Sequence, residues 1–587
     1  MTSVRRRVLV LGVLASVMFG GPARAAVTDT SGDNIQDGDN AASTHQHGQD
    51  TSGAANGGQV VGVVSAGRTS VDATNRSVNS DVTTGDARGT NAASSFTGVD
   101  VASASGTAVV ADVFASCPSS GASACENVQD GSNRLTSTQS SSATTGDGVA
   151  GQVIGVVTAA GGATSVVADN LTQDSSARTG DAGAPNRSAA FVGLSAAFTG
   201  NTLVAADAST ACPNDGAQTA ACQNVQSGSN RLTTTQSSSA TTGDGVAGQV
   251  IGAVSAGATS IDARNRSVSV DVTTGNAASD NNAASFAGLD GVFTGTATVV
   301  ADTSASCPNS GAQTAVCQNV QDGSNRTTAA QSSSASTGSG VGGQVVGAVT
   351  TAGGSTSVVA DNVSQDSSIG TGDARSANHA AAFVGLSAAF LGNVVVAADA
   401  AGACPNEGAQ TASCQNVQNG SNRLSTAQTS SATTGDGVAG QVIGAVSAGA
   451  TSIDAGNRSV SDDVTTGDAD STNHAASFVG LDAVFGGSAT VVADAFASCP
   501  NSGAQAGACQ NVQDGSNRAI RSQLSSATSG DAIAGQVTGV VTSAGGSSSV
   551  VVDNASSDID AASGASTFDN HDETFVGLIV VSGGLTI

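Results

Sequence analysis

Three residue types in this chain recur at spacings that could do chemistry: Asp, Cys and His. Asp72, Asp169, Asp262, Asp361, Asp454 and Asp553 each occur once per repeat of the text. Asp112, Asp207, Asp302, Asp399 and Asp494 form a second such set at the end of Val-rich stretches. If repeats stack in register, carboxylates of one set come together in a row. A row of like charges invites a hard cation held by oxygens, and structural Ca²⁺ is the expected ion. The competing expectation is that Asp caps turns and keeps the surface solvated. The closely spaced Gly/Asp nonapeptide of calcium-binding β-rolls is absent.

The ten Cys fall into five local pairs, Cys117/Cys125, Cys212/Cys222, Cys307/Cys317, Cys404/Cys414 and Cys499/Cys509. Each first Cys precedes a Pro, and each loop holds a Gly. An even count with local pairing predicts five disulfide-closed loops, each contributing roughly 2–3 kcal/mol. No C-x-x-C spacing and no recurrent neighbouring His support zinc. His379, His474 and His571 stand four residues before a Phe, in a slot that holds Ala92, Arg187 and Asn282 elsewhere. Such tolerance predicts an exposed loop position, not a catalytic one. His45 and His47 form a Thr-His-Gln-His patch that reads as a solvated loop.

The elements that must position these residues are set by an unusual composition. The 587 residues include 76 Gly, no Trp and no Tyr, and all 19 basic residues are Arg. Only three of the 46 acids are Glu: Glu126, Glu407 and Glu573. Ala, Val, Gly, Ser and Thr cannot fill the cores of ordinary globular domains of this length. A net charge of −27 disfavours nucleic acid as a partner, since phosphate binding needs a basic surface. It also disfavours anionic membranes.

Self-similarity dominates the text. Asn-Val-Gln-Asp-Gly-Ser-Asn begins at Asn127, with variants at Asn34, Asn224, Asn319, Asn416 and Asn511, spaced by 93, 97, 95, 97 and 95 residues. The expected organisation is a lead at 26–33 and repeats at 34–126, 127–223, 224–318, 319–415 and 416–510, then a truncated sixth repeat at 511–587. Repeats alternate in type, carrying Ser-(Ile/Val)-Asp-Ala or Ser-Val-Val-(Ala/Val)-Asp-Asn. Each has two related halves that read Thr-Gly-Asp turn, strand, turn, strand, Asp. Val268-Ser269-Val270-Asp271-Val272 shows the alternation of a half-buried strand. Gly inside nearly every apolar run argues against helix. The expected fold is all-β, an elongated repeat protein built as a β-solenoid. At ~23 residues per coil it would have about 24 coils and form a rod about 115 Å long. The alternative is a tandem of antiparallel meander or sandwich units.

The Gln-x-Gly-x-Asn-x5-Gln pattern (Gln129, Gly131, Asn133, Gln139) resembles the curlin repeat of bacterial surface fibres, one residue short between Gly and Asn. It covers about a tenth of each repeat. The resemblance implies a Gln/Asn ladder on stacked strands. Phe191 and Phe198 recur as a pair in the four middle repeats and are expected to anchor the core, with the terminal repeats altered as caps.

Arg5, Arg6 and Arg7, the apolar stretch Val8 to Phe19 and Ala23-Arg24-Ala25 read as a signal peptide over 1–25. No later segment is long and apolar enough to span a membrane. The expectation is a secreted or cell-surface, non-catalytic structural protein: fibre, adhesin stalk or envelope component. Its partners would be cell-surface or matrix components, or a second copy joined end to end. Dense Ser and Thr offer the alternative of a binding module for a repetitive ligand such as glycan, mineral or ice. A polysaccharide-active enzyme is the third reading; it would need a cluster unique to one place on the chain.

Overall fold

The computed structural model describes residues 33–580, apart from residues 37, 58, 66–67, 105–108, 117–122, 151, 159–162, 200–201, 212–213, 216–218, 256–257, 295–296, 307–308, 311–313, 351–354, 392–393, 404–405, 408–410, 448–449, 486–488, 499–505 and 543–546. The signal-peptide reading (1–25) and the first Cys of each pair lie outside the described residues. Everything described is strand or connection, with no helix.

All pairing is parallel, and its register equals the sequence repeat. Asn34 pairs with Asn127, Asn127 with Asn224, Asn224 with Asn319, Asn319 with Asn416 and Asn416 with Asn511. The fold is therefore an all-β solenoid, and the antiparallel alternative is excluded. The coil is much larger than the sequence suggests. One whole repeat makes a single turn, so the chain forms six coils, and at ~4.8 Å per coil the stack is about 24 Å high. The expected ~23-residue coil and ~115 Å rod are corrected accordingly. The Thr-Gly-Asp turns do not return the chain onto its own previous strand. They are corners of one wide circuit.

One coil, followed in the second repeat, runs through six main strands, one in each of the six larger sheets; a short strand, Asn214–Asp215, belongs to a seventh. The main strands are Ser123–Gln129 in the first, Asn133–Thr144 in the second, and Gln152–Thr158 in the third. Thr164–Arg178 lies in the fourth, Ala182–Thr199 in the fifth and Thr202–Ala211 in the sixth. The third and fourth sheets pack face to face through Val156, Ile251, Val346 and Ile443 against Val166, Ile261, Val358 and Ile453. The fifth sheet lies between the second and the sixth. That explains why Ser188, Ala189, Ala190, Phe191 and Val192 are all buried in succession: a strand covered on both faces loses the alternation of a one-sided sheet.

Small residues fill this core because each side chain packs mainly on its own equivalents one coil away. Phe191, Phe286, Phe383 and Phe478 stack with ring centroids 4.6, 4.9 and 5.0 Å apart. Two residues on, Gly98, Gly193, Gly288, Gly385, Gly480 and Gly577 form a column with positive φ. A Cβ on Gly288 would meet the Gly385 carbonyl oxygen at 1.8 Å, so no other residue fits there.

Buried polar groups are joined from coil to coil. In the fifth sheet Asn91, Asn186, Asn281, Asn378 and Asn473 each donate through Nδ2 to Oδ1 of the next Asn, at 2.9–3.0 Å. The same groups also donate to second-sheet carbonyls such as those of Ser237 and Ser332. In the second sheet Gln139, Gln236, Gln331, Gln428 and Gln523 donate back to the preceding Gln. Asn133, Asn230, Asn325 and Asn422 donate forward. The Gln/Asn ladder expected from the repeat phrase is present. Since an unpaired buried amide costs about 1–3 kcal/mol, these columns fix the register as well as the fold.

Candidate interaction faces

The aspartates divide by register. Asp72, Asp262 and Asp454 align with Val167, Val359 and Val551, whereas Asp169, Asp361 and Asp553 align with Thr74, Arg264 and Gly456. The six do not form the single row expected, because the two repeat types place Asp two residues apart on the same face. Asp112, Asp207, Asp302, Asp399 and Asp494 are in register along the backbone. Among the described residues no group of three or more His, Cys, Asp or Glu is gathered as a metal centre requires.

Many other aspartates work at corners. Asp181 and Asp244 donate their backbone N–H to the Oδ1 of Asp86 and Asp147 in the preceding coil, at 2.9 and 3.0 Å. The Thr and Gly of the same motif do likewise: Gly243 N–H donates to Thr145 Oγ1 at 2.9 Å. Thr-Gly-Asp thus bonds between coils as well as turning the chain. Gly243 is required there by close approach, since a Cβ would lie 2.4 Å from the Gly146 carbonyl oxygen.

Cys125, Cys222, Cys317, Cys414 and Cys509 align in the first sheet. Their expected partners Cys117, Cys212, Cys307, Cys404 and Cys499 lie outside the described residues.

The histidines correct the sequence reading. His379, His474 and His571 are in strands of the fifth sheet, stacked in register, with ring centroids 5.3 and 6.0 Å apart. Burial lowers the His379 pKa against the opposing pull of Asp280, with His474 and Arg375 lowering it further. The column that holds Ala, Arg, Asn and His is a strand position, half-buried at all three His, and not a loop. Asp462 is a buried carboxyl whose pKa is raised by burial, against hydrogen bonds from Ser364, Ser367 and Ser459.

Two outer faces have distinct chemistry. On the fourth sheet a groove of about 610 Å³ is lined by Asp169, Arg264, Arg266, Asp361, Gln365 and Arg458, mixing both signs of charge. The second sheet differs. Its strands alternate strictly, with Asn133, Leu135, Ser137, Gln139, Ser141 and Ala143 inward. Outward stand Arg134, Thr136, Thr138, Ser140, Ser142 and Thr144. Arg134, Arg231, Arg326, Arg423 and Arg518 are in register and all exposed. No outward position on this sheet is acidic, in a chain with 46 acids. The sequence reading missed this column. Its signal was the phrase Ser-Asn-Arg, repeated at every one of the five positions.

No family model, curated protein or solved structure matches the chain.

Proposed function

We propose that the chain is an exported, non-catalytic structural protein of a bacterial cell surface or extracellular matrix. The observation that carries this reading is the inward chemistry of the stack. Its Asn and Gln side chains bond to their equivalents one coil away and its Ser hydroxyls bond across to the facing sheet, so the same groups recur in coil after coil and serve register. A catalytic site needs a constellation unique to one place. A stack about 24 Å high suits an envelope component or display scaffold better than a stalk. Contacts to surface or matrix components would then be made by the broad side faces. The reading is tested by fractionating producing cells with an antibody to the chain. The mature protein, beginning near Ala26, is expected in the surface or medium fraction. Retention inside the cell with Met1 intact would overturn it.

A second reading, a binding module for a repetitive ligand, is favoured by the acid-free arginine face, whose spacing repeats with the coil.

A further inference from the structure

The arginine column of the second sheet has no internal explanation. Neighbouring coils bring like charges to backbone positions about 4.8 Å apart, where they repel. Among the described residues no ion pair joins any of the five to a carboxylate. On the fourth sheet the chain breaks such repetition of Arg. The column of Asp169, Arg264 and Asp361 alternates in sign, and Arg76, Arg266 and Arg458 are separated by Leu171 and Val363. On the second sheet Arg is kept in five coils running, while acids are excluded from the same face.

Beside the column lie rows of hydroxyls. Thr136, Thr233, Thr328 and Ser425 are in register, as are Ser140, Ser237, Ser332 and Thr429. In the first coil the aligned outward positions are Ala41, Ser43, His45 and His47.

We propose that this face binds a linear acidic polysaccharide. The polymer would lie along the arginine column with its ionised groups against the guanidinium forks, which match oxyanions with paired N–H donors. Its sugar hydroxyls would meet the Ser and Thr rows. The repeated spacing of the column fits a repetitive polyanion better than a single small anion. Single-stranded nucleic acid is a poorer match, because the five coils that carry the arginine column present no outward aromatic side chain on this face for bases to stack on. The inference deepens the binding-module reading and does not depend on where the chain resides.

The overall charge of −27 opposes any polyanion at long range, whereas the arginine contacts act at short range. At about 0.15 M salt the screening length is about 8 Å, which silences the first more than the second. Affinity is therefore expected to peak at intermediate ionic strength and fall on either side.

The test uses the purified full chain with polygalacturonate as the acidic probe, dextran as the neutral one and single-stranded DNA as the competing polyanion. Polygalacturonate is expected to bind, with dextran about tenfold weaker or worse. The variant Arg231→Gln/Arg326→Gln/Arg423→Gln is expected to lose about tenfold or more in affinity, with unchanged circular dichroism. Arg264→Gln/Arg458→Gln, on the other groove, is expected to bind as the parent does. Parent-like binding by the triple variant would overturn the proposal, as would tighter binding of DNA than of polygalacturonate. Equal binding of dextran and polygalacturonate would also overturn it while leaving a glycan-binding module standing. Binding of neither would remove both.

Discussion

The interior coils and the two terminal coils are built from the same text, yet they treat their inward positions in opposite ways. The column Ser137, Thr234, Ala329 and Thr426 is buried and neutral, but in the last coil it holds Arg521. The facing column Ser188, Ala283, Ala380 and Ala475 ends in Asp572, which pairs with Arg521. Phe568, 70% exposed, ends a column of Ala184, Ser279, Ser376 and Ser471. In the first coil Asp50 takes the place of a buried Ala column, Ala143, Ala240, Ala335 and Ala432. Covering these charges with another coil would cost several kcal/mol. Inward charges at an edge are a known guard against edge-to-edge pairing. The comparison teaches that repetition builds the stack and departure from repetition ends it.

The sharpest way to break this contrast is at the glycine column. Gly288→Ala is expected to destabilise by several kcal/mol, because the new Cβ meets backbone at 1.8 Å on a residue with φ of 156°. Gly577→Ala, in the last coil, has nothing within 4 Å and keeps only the cost of its φ of 129°. Thermal melts should separate the two by more than about 1 kcal/mol. Equal losses would mean that stacking contacts do not govern the column.

A smaller difference is expected along the asparagine ladder. Asn281→Ala removes a donor and an acceptor inside the stack and strands its neighbours, at about 2–3 kcal/mol. Asn570→Ala, on the open side, should cost about 1 kcal/mol in the same denaturant titration.

Asp462 places a carboxyl inside the stack, where the preceding coil has Ser367. Its raised pKa means that the folded state holds the proton more tightly than the unfolded state. The parent is therefore free of penalty below the unfolded pKa, loses stability as pH rises from there to the folded pKa, and carries the full penalty above it. Asp462→Ser should gain on the order of 1 kcal/mol at neutral pH, and the gain should vanish in acid. A gain independent of pH would refute the assignment.

The smallest expected effect is on association. Asp50→Ala/Arg521→Thr/Asp572→Ala gives the ends the residues of the interior columns. Sedimentation velocity should then detect head-to-tail oligomers absent from the parent. A monomeric variant with native circular dichroism would show that something other than these charges closes the ends.

The strand content, the parallel to repeat phrases and the Gln/Asn ladder were legible because they depend on local residue types. The coil length was not. A Thr-Gly-Asp turn between two Val-rich strands reads the same whether the second strand stacks on the first or continues around a wider circuit. The two related halves of each repeat become the two lobes of one coil, the third with the fourth sheet and the fifth with the sixth. The failed aspartate row was legible in principle. Ser-Ile-Asp-Ala and Ser-Val-Val-Ala-Asp-Asn, aligned on Ser, already place Asp two positions apart. The arginine face was hidden for another reason: its meaning depends on which residues point outward together, and that follows only from the register.

The central claim is that one repeat forms one coil. Nitroxide labels attached by a non-cysteine chemistry at Ser140 and Ser237, outward-facing partners in adjacent strands, test it directly. One repeat per coil predicts strong spin–spin broadening from labels within about 10 Å. A solenoid of ~23-residue coils would hold them about four coils, or roughly 20 Å, apart, and unbroadened spectra with that separation would contradict the account.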